Sequence, residues 1–307
     1  MELIKPKALK AGDTIAVIAP SSNFERDRLL DGIAALEHAG FKIIYRDDIF
    51  AKDRYLAGPD ARRTDELIQY LKDPTISAVM CARGGYGAQR IASELNLKKL
   101  KASPKWVIGY SDVTVLLNLI RNQLGWMTVY GPTVAGHFGS KSPRENMEWL
   151  LRLTTQSRPL GAVPTREAIV VKPGFASGRV AGGCLTLVQM GIGTPYDVQT
   201  DNAVLFLEDR GEKLYEIDRM LQHLKHAGKL NKVKGIVFGS MLLHPQEADK
   251  NHELIPLLQD VLSDFEGPVI ANFPAGHIDP FMPLPLGVMS TLNTDPLEWN
   301  FTEAACS

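Results

Sequence analysis

The sequence of 307 residues predicts an α/β protein, with a doubly wound parallel sheet in its first half and a smaller β-rich domain in its second half. Two observations support this prediction. In the first half, short β-rich runs alternate with segments of helical periodicity, an order that is typical of parallel sheets. In the second half, strand-like runs outnumber helical segments, which indicates a separate and mixed architecture.

The strands and helices of the first half follow one another at regular intervals. The predicted strands are apolar, β-rich runs bounded by glycine, proline or charged residues: 14–20, 41–48, 76–84, 106–110 and 126–132. The predicted helices have apolar residues three or four positions apart: 26–40, 60–73, one that begins near Ala88 and one that follows Ser111. Parallel sheets carry function at the carboxyl ends of their strands. A site is therefore expected where RGGYG (83–87) and GYSD (109–112) follow two of these strands.

A domain boundary is predicted where this alternation ends. The stretch 139–165 contains one helical segment, Arg144–Thr154, and then a connection with proline and glycine. We therefore predict an N-terminal domain over residues 1–145, a linker over 146–168 and a C-terminal domain over 169–307. In the C-terminal domain and at its border with the linker, the predicted strands are 168–174, 178–188, 203–209, 235–241 and 268–274. The predicted helix is 214–228.

The composition is that of an ordinary globular protein, and it narrows the range of partners. Apolar residues make up 45% and charged residues 22%, and 34 Lys and Arg balance 35 Asp and Glu. No basic run suits a phosphate backbone, so nucleic acid is not an expected partner. No apolar run resembles a signal peptide or reaches the ~20 residues of a membrane span, so a cytoplasmic protein without membrane association is expected. The three cysteines, Cys81, Cys184 and Cys306, have neither disulfide nor zinc-site spacing.

Ser111 lies at the hinge between a predicted buried strand and a helix, in the stretch WVIGYSDVTVLLNLI (106–120). One interpretation is a helix cap, because a serine or aspartate oxygen accepts a hydrogen bond from an N–H of the first turn. The other is a nucleophile on a tight strand-to-helix turn that directs the hydroxyl out of the sheet. The stretch departs from the G-x-S-x-G motif, and Asp112 is a second candidate for the cap.

The stretch RGGYGAQR (83–90) follows a predicted strand and begins a helix, so its glycines can bring backbone N–H groups close to an anion. Its spacing is neither that of the dinucleotide fingerprint nor that of the P-loop, and no nucleotide cofactor is predicted. One alternative is a glycine-rich turn without further function. Another is an oxyanion site, in which N–H groups are directed at a developing negative charge.

A predicted strand at 203–209 ends in two adjacent acids, Glu208 and Asp209. A carboxylate at the end of a strand can orient a histidine and stabilise its imidazolium form. The alternative is that both acids are solvated turn residues or that they complement the N-terminus of the next helix.

Among seven histidines, His277 has the stiffest surroundings, in a Pro-Ala-Gly turn of the stretch NFPAGHIDPFMPLPLGV (272–288). Ser111, Glu208 and His277 would together provide a hydroxyl, a carboxylate and a base. These are the groups that nucleophilic acyl transfer requires, although sequence order does not show that they are close in space.

Several stretches together resemble the signature blocks of the LD-carboxypeptidases, the serine peptidase family S66: RGGYGAQR, IGYSDVT, AGGCLTL, LFLEDRGEKLYEIDRML, and FPAGH followed by PLPLGV. The resemblance extends from about residue 13 to about residue 300. It implies a catalytic triad of Ser111, Glu208 and His277, and oxyanion donors at the N–H groups of Gly85 and Asp112. It also implies a flavodoxin- or Rossmann-like N-terminal domain that carries the nucleophile, and a C-terminal domain that carries the other two residues.

The same resemblance implies an activity. Members of the family remove the terminal D-alanine from murein tetrapeptides in peptidoglycan recycling, without metal or cofactor, and are cytoplasmic and often dimeric. In this interpretation Arg83, or N–H groups of the glycine turn, bind the free carboxylate of the small peptide substrate. The sequence departs from the family at Cys184, where the block often has asparagine; a thiol is the weaker hydrogen-bonding group, which concerns substrate positioning more than the reaction type. Cys184 is not predicted as a nucleophile, because no neighbouring cation is evident that would lower its pKa.

Two other functions are left open by the sequence. Some members of the family are self-immunity hydrolases of acyl-nucleotide (microcin C-type) antibiotics, which need aromatic residues to stack on the nucleobase. A non-catalytic nucleotide-binding α/β module would use RGGYG as an anion cradle and Ser111 as a cap. A metallopeptidase is not predicted, because the sequence has no H-E-x-x-H pair.

Overall fold

The computed structural model describes residues 3–100, 102–140, 143–165 and 167–307. They form two compact units. The first comprises Met1–Arg158, Asp279–Pro285 and Ala304–Ser307, and the second comprises Pro159–Ile278 and Leu286–Glu303. The domains predicted from the sequence are continuous stretches, whereas two short segments near the C-terminus belong to the first unit.

The first unit is built around a six-stranded sheet. Five of its strands come from the N-terminal half and one from the later segment: β1 (Thr14–Ile18), β2 (Lys42–Ile44), β3 (Ile76–Cys81), β4 (Trp106–Gly109), β5 (Thr128–Tyr130) and β12 (Leu284–Leu286). The sheet order is β12-β5-β4-β3-β1-β2, and the pairs from β5 to β2 are parallel. The order 2-1-3-4-5 is that of flavodoxin-like folds, so the predicted doubly wound α/β architecture is confirmed.

Helices connect these strands as the sequence predicts. They are α1 (Arg26–His38), α2 (Asp60–Lys72), α3 (Ala88–Ala92), α4 (Thr114–Leu124) and α5 (Pro143–Thr154). Helix α4 ends where Gly125 adopts a left-handed conformation, φ 70°, and donates its N–H to the carbonyl of Arg121. Three 3-10 turns (47–50, 97–99 and 111–113) and one π-helical turn (134–138) complete the connections.

The second unit contains an eight-stranded mixed sheet and three helices. Its strands are β6 (Gly161–Val163), β7 (Ile169–Lys172), β8 (Phe175–Cys184), β9 (Ala203–Glu212), β10 (Gly235–Leu243), β11 (Val269–Ala271), β13 (Met289–Thr294) and β14 (Leu297–Phe301). The order is β6-β14-β13-β8-β9-β10-β11-β7; β8 to β11 are parallel, and the flanking pairs are antiparallel. The helices are α6 (Leu185–Met190), α7 (Leu214–His226) and α8 (Leu254–Val261), with a 3-10 segment at 245–253.

One predicted strand is divided between a strand and a helix. The strand predicted over 178–188 ends at Cys184, and the next six residues form α6. The cause is a contact distant in sequence, because Asp209 accepts hydrogen bonds from the N–H and the hydroxyl of Thr186, both at 2.8 Å. A carboxylate at this position satisfies the first turn of a helix and favours helix over strand.

A buried apolar cluster holds β9 in place, and β9 carries one of the predicted site residues. Leu205 and Leu207 of β9 pack with Ile217 and Leu221 of α7 and with Leu258 of α8. Each such side chain contributes about 1.5–3 kcal/mol by leaving water. Within the described ranges, no helix is both long enough and apolar enough to cross a membrane.

Candidate active site

Ser111 occupies the turn between β4 and α4 in a backbone conformation that serine rarely adopts. Its φ is 60°, in the left-handed region, which costs a residue other than glycine on the order of 1 kcal/mol. Tyr110 before it is extended, and a 3-10 turn over Ser111–Val113 leads into α4. The N–H of Ser111 donates to the hydroxyl of Tyr130, with 3.0 Å between N and Oη. A sharp strand-to-helix turn with a strained serine is how α/β hydrolases expose their nucleophile.

The hydrogen bonds around the Ser111 turn show what Asp112, the second candidate for the cap, does. The residues at the N-cap positions of the 3-10 turn and of α4 are Tyr110 and Val113, and neither makes a side-chain cap hydrogen bond. Asp112 accepts a hydrogen bond from the N–H of Ala88, the first residue of α3, at 2.7 Å. The residue is 2% exposed, and burial raises the pKa of its carboxyl. Asp112 therefore caps a neighbouring helix instead of its own.

The RGGYG stretch lies directly against the Ser111 turn. A Cβ added to Gly84 would lie 2.9 Å from the Cβ of Ser111 and 3.3 Å from its Oγ, so this position requires glycine. Gly85 has a φ of 106°, and Ser22 fills the space where its side chain would lie. The Oγ of Ser22 accepts a hydrogen bond from the N–H of Tyr86 at 3.0 Å. These contacts fix the orientation of the peptide groups next to Ser111.

Arg83, which precedes the glycines, is exposed and anchored at one point. Its Nη1 donates to the backbone carbonyl of Asn23 at 2.9 Å. A guanidinium has five N–H donors in a fixed plane, so this bond orients the group and leaves it further donors for an anion.

In the second unit, Glu208 and His277 form a hydrogen-bonded pair. The Nδ1 of His277 lies 2.7 Å from Oε2 of Glu208, and the backbone N–H of His277 donates to the same oxygen at 3.1 Å. Glu208 is fully buried, whereas the side chain of His277 is 13% exposed. A carboxylate that accepts from Nδ1–H selects the tautomer whose Nε2 can take up a proton. This is the arrangement of a general base with its orienting acid.

Strand alternation separates the roles of the two adjacent acids. Successive side chains of a strand point to opposite faces. Glu208 faces His277, whereas Asp209 faces α6, where it accepts the two hydrogen bonds from Thr186. The alternative role as a complement to a helix N-terminus thus applies to Asp209, although the helix is α6 and not the helix that follows in sequence.

The turn that carries His277 is shaped by close backbone approaches. A Cβ on Gly276, which has a φ of 119°, would lie 2.5 Å from Oε2 of Glu208, so a side chain here would displace the carboxylate. The carbonyl of Ala275 accepts the N–H of Ser240 in β10 at 2.9 Å. The Pro-Ala-Gly sequence before His277 is therefore a tight turn fixed to β10 and to the carboxylate of Glu208.

Cys184 lies beside the pair but lacks the surroundings of a reactive thiol. It ends β8 and is paired in register with Glu208 of β9. The residue is 4% exposed; burial, followed by the charges of Asp209 and Glu208, raises the pKa of its thiol well above the usual range. A thiol that resists ionisation is a poor nucleophile.

The predicted site residues thus fall into two groups. The first unit carries Arg83, Gly85, Ser111 and Asp112, and the second unit carries Glu208 and His277. Among the residues that the structure describes, no three His, Cys, Asp or Glu side chains cluster closely enough to hold a metal ion.

Sequence reasoning did not single out Tyr130 or Ser22, which support the Ser111 turn and the RGGYG turn. Tyr130 ends a strand of the parallel sheet, which is the one signal in the sequence that marks it. Ser22 ends the stretch IAPSS (18–22), which also resembles the family, but its partners, Gly85 and Tyr86, are more than sixty residues away and cannot be inferred from that stretch.

Two family models match the chain. The model of the LD-carboxypeptidase N-terminal domain matches residues 15–131, and the model of the LD-carboxypeptidase C-terminal domain matches residues 177–292. Together they cover more than half of the sequence. The chain therefore belongs to the LD-carboxypeptidase family, which is a family of hydrolases.

Individual relatives extend over nearly the whole chain. It is 33% identical over 297 residues to a probable murein peptide carboxypeptidase of Bacillus subtilis. The alignment covers 94% of this chain and 92% of the relative. The structure is similar to that of a muramoyltetrapeptide carboxypeptidase from Oxalobacter formigenes, with a TM-score of 0.81 and 25% sequence identity. The superposition covers 94% of this chain and 97% of the other. It is also similar to the structure of MccF in complex with glutamyl sulfamoyl guanosine, with a TM-score of 0.89 and 25% sequence identity. That superposition covers 99% of this chain and 100% of the other.

Proposed function

We propose that this protein is a serine LD-carboxypeptidase that releases the terminal D-alanine from murein tetrapeptides in peptidoglycan recycling. The observation that carries the proposal is the contact of 2.7 Å between His277 Nδ1 and the buried carboxylate of Glu208. It gives the histidine the orientation of a general base. The similarity to the carboxypeptidases of Bacillus subtilis and Oxalobacter formigenes supports the choice of substrate.

In the proposed reaction, His277 Nε2 accepts the proton of the Ser111 hydroxyl while Oγ forms a bond to the scissile carbonyl carbon. Glu208 stabilises the imidazolium ion. The C–N bond then breaks, and the amine of D-alanine leaves with the proton from His277. Water, deprotonated by the same histidine, hydrolyses the acyl-enzyme and restores Ser111.

Two further groups complete the proposed site. The N–H groups of Gly85 and Asp112 stabilise the oxyanion, a contribution of about 3 kcal/mol for each donor in other hydrolases. Arg83 binds the free carboxylate at the C-terminus of the substrate. Its guanidinium is anchored at Asn23 and exposed, which suits a planar carboxylate.

The experiment that tests the proposal is a mass-spectrometric assay with L-Ala-γ-D-Glu-meso-diaminopimelate-D-Ala and with its lysine counterpart. The wild-type protein is expected to release D-alanine, with or without a chelator, and a Ser111→Ala variant is expected to release none. A folded wild-type protein that releases D-alanine from neither peptide would contradict the proposal.

A second candidate function is hydrolysis of acyl-nucleotide antibiotics of the microcin C type. The observation that favours it is the TM-score of 0.89 to MccF bound to glutamyl sulfamoyl guanosine. Glutamyl sulfamoyl guanosine in the same assay separates the two functions. Cleavage of this compound without release of D-alanine from either peptide would select the second function.

The family resemblance also underlies two further parts of the proposal. We expect the enzyme to act in the cytoplasm and as a homodimer, with a small peptide as its substrate. Cell fractionation and light scattering of the purified protein test these two expectations.

A further inference from the structure

The backbone of Ser111 is held by a side chain that has no part in the reaction proposed above. Tyr130 ends β5, where it is paired in register with Gly109 of β4. Its hydroxyl accepts the N–H of Ser111 at 3.0 Å. N–H groups at the start of a helix have no intrahelical acceptor, and one that is partly buried, as here, is stabilised by a partner from elsewhere. Here the neighbouring strand provides that partner.

The ring of Tyr130 is itself firmly held. The residue is fully buried, and its ring meets those of Tyr110 and Phe281 edge-on, with centroid separations of 6.2 and 5.9 Å. Phe281 is fixed in turn, because its N–H donates to Oδ1 of the buried Asn146 at 2.7 Å. The position of the tyrosine hydroxyl is thus set by packed aromatic rings and a buried hydrogen bond.

The hydrogen bond from Ser111 to Tyr130 has two consequences. It stabilises the φ of 60°, which an isolated serine seldom adopts. It also directs the N–H of Ser111 at a side chain. In chymotrypsin-like proteases the N–H of the nucleophilic serine helps to form the oxyanion hole. In this protein that N–H is engaged, which is consistent with Gly85 and Asp112 as the donors.

We infer that Tyr130 is a positioning residue: through its hydroxyl it holds Ser111 in the left-handed turn that presents Oγ for reaction. The inference rests on the proposed role of Ser111 as the nucleophile. Reaction rates depend steeply on the placement of the attacking atom. Loss of the Tyr130 hydroxyl should therefore lower the reactivity of Ser111 and leave substrate binding unchanged.

The test compares Tyr130→Phe with Tyr70→Phe. The first variant keeps the ring and removes the acceptor. The second removes the hydroxyl of another buried tyrosine of the first unit, in α2, and serves as the matched control. One readout is the rate at which a fluorophosphonate labels Ser111, which requires no peptide substrate. The other is kcat and KM for release of D-alanine.

We expect Tyr130→Phe to lower both the labelling rate and kcat about tenfold, the effect of one neutral hydrogen bond, with KM within about twofold of wild type. Tyr70→Phe is expected to change none of these by more than about twofold. A cooperative thermal unfolding transition in each variant is the control that it is folded. If Tyr130→Phe does not fold, 4-fluorophenylalanine at position 130 fills the space of the hydroxyl with a much weaker acceptor, and the same tenfold loss is expected.

Equal labelling of wild type and Tyr130→Phe, or an equal loss in both variants, overturns the inference. Labelling of wild type without release of D-alanine shows that the proposed substrate is wrong, and the labelling rates still decide the role of Tyr130. Absence of both labelling and hydrolysis in wild type shows that Ser111 is not a nucleophile, and the inference is then wrong as well.

Discussion

The carboxylate of Asp112 accepts a hydrogen bond from the N–H of Ala88 at 2.7 Å, although the two residues are 24 positions apart. The bond joins the turn after β4 to the helix that follows RGGYG. Together with the contact between Gly84 and Ser111, it links the two turns that carry the proposed nucleophile and the proposed oxyanion donors. A displacement of one turn therefore displaces the other.

The first prediction concerns this bond. Asp112→Ala removes the acceptor at the start of α3 and should lower the free energy of unfolding by about 1 kcal/mol, as other cap deletions do. It should also slow the release of D-alanine, because the glycine turn is no longer tied to Ser111. Asp112→Asn keeps an acceptor oxygen, so its free energy of unfolding and its rate of D-alanine release should fall less. Urea unfolding measures the first quantity and kcat the second. Equal losses in the two variants would show that the negative charge, and not the hydrogen bond, is what matters.

The second prediction uses the adjacent acids as a matched pair. Glu208→Gln disturbs the tautomer and orientation of His277, and a loss of hydrolysis on the order of 10³-fold or more is expected, as in other triads. Asp209→Asn should change hydrolysis far less, because this carboxylate faces Thr186 and α6. Its expected effect is on thermal stability. Comparable losses of activity in both variants would remove the distinction between a catalytic and a structural acid.

The third prediction concerns Cys184. Burial raises the pKa of this thiol, so iodoacetamide at neutral pH should label it slowly in the folded protein, and activity should survive the treatment. A Cys184→Ser variant should remain active. Rapid inactivation that the serine substitution prevents would instead identify Cys184 as a reactive group of the site.

The fourth prediction is a pH dependence of stability. Glu66 of α2 is fully buried; its carboxylate accepts the N–H of Ala19 at 2.8 Å and pairs with Arg62 at 2.6 Å. Burial raises its pKa from 4.5 to about 7, against the opposing effect of Arg62. The folded state therefore holds this proton more tightly than the unfolded state does. The stabilisation is complete below about pH 4.5, falls as the pH rises and is lost above about pH 7.

The pKa difference of Glu66 corresponds to about 3 kcal/mol over this interval. Urea unfolding from pH 4.5 to pH 8 should show that Glu66→Gln weakens the decline in stability, because the amide does not titrate. Glu37→Gln on the exposed face of α1 is the control and should leave the slope unchanged. Parallel pH profiles for wild type and Glu66→Gln would contradict the assignment.

The sequence predicts the parallel sheet well, because each strand and helix of the first half is encoded by local periodicity. It also draws attention to Ser111, Glu208 and His277, since each is predicted at a strand end or in a tight turn, although β9 continues to Glu212 and Glu208 lies within the strand. Contacts between distant residues are less accessible. The α6 helix depends on Asp209, and β12 contains a proline in a stretch that has no strand pattern of its own.

The supporting residues of the site were not predictable for the same reason. Nothing local marks Tyr130 as the acceptor for Ser111, or Ser22 as the residue beneath Gly85. Asp112 is a candidate for a cap on sequence alone, but the helix that it caps is set by the packing of two turns and not by its own position in the chain. Such contacts become visible when the sheet brings its strand ends together.

The left-handed backbone at position 111 also limits how the chemistry of this scaffold can change during evolution. Glycine and asparagine tolerate a positive φ but provide no nucleophile, and threonine provides one but is β-branched and strongly disfavoured there. Serine and cysteine combine an unbranched side chain with a nucleophilic atom. A lineage that keeps this turn can exchange the serine oxygen for the sulfur of cysteine. The secondary alcohol of threonine is disfavoured by the backbone conformation, whatever its reactivity.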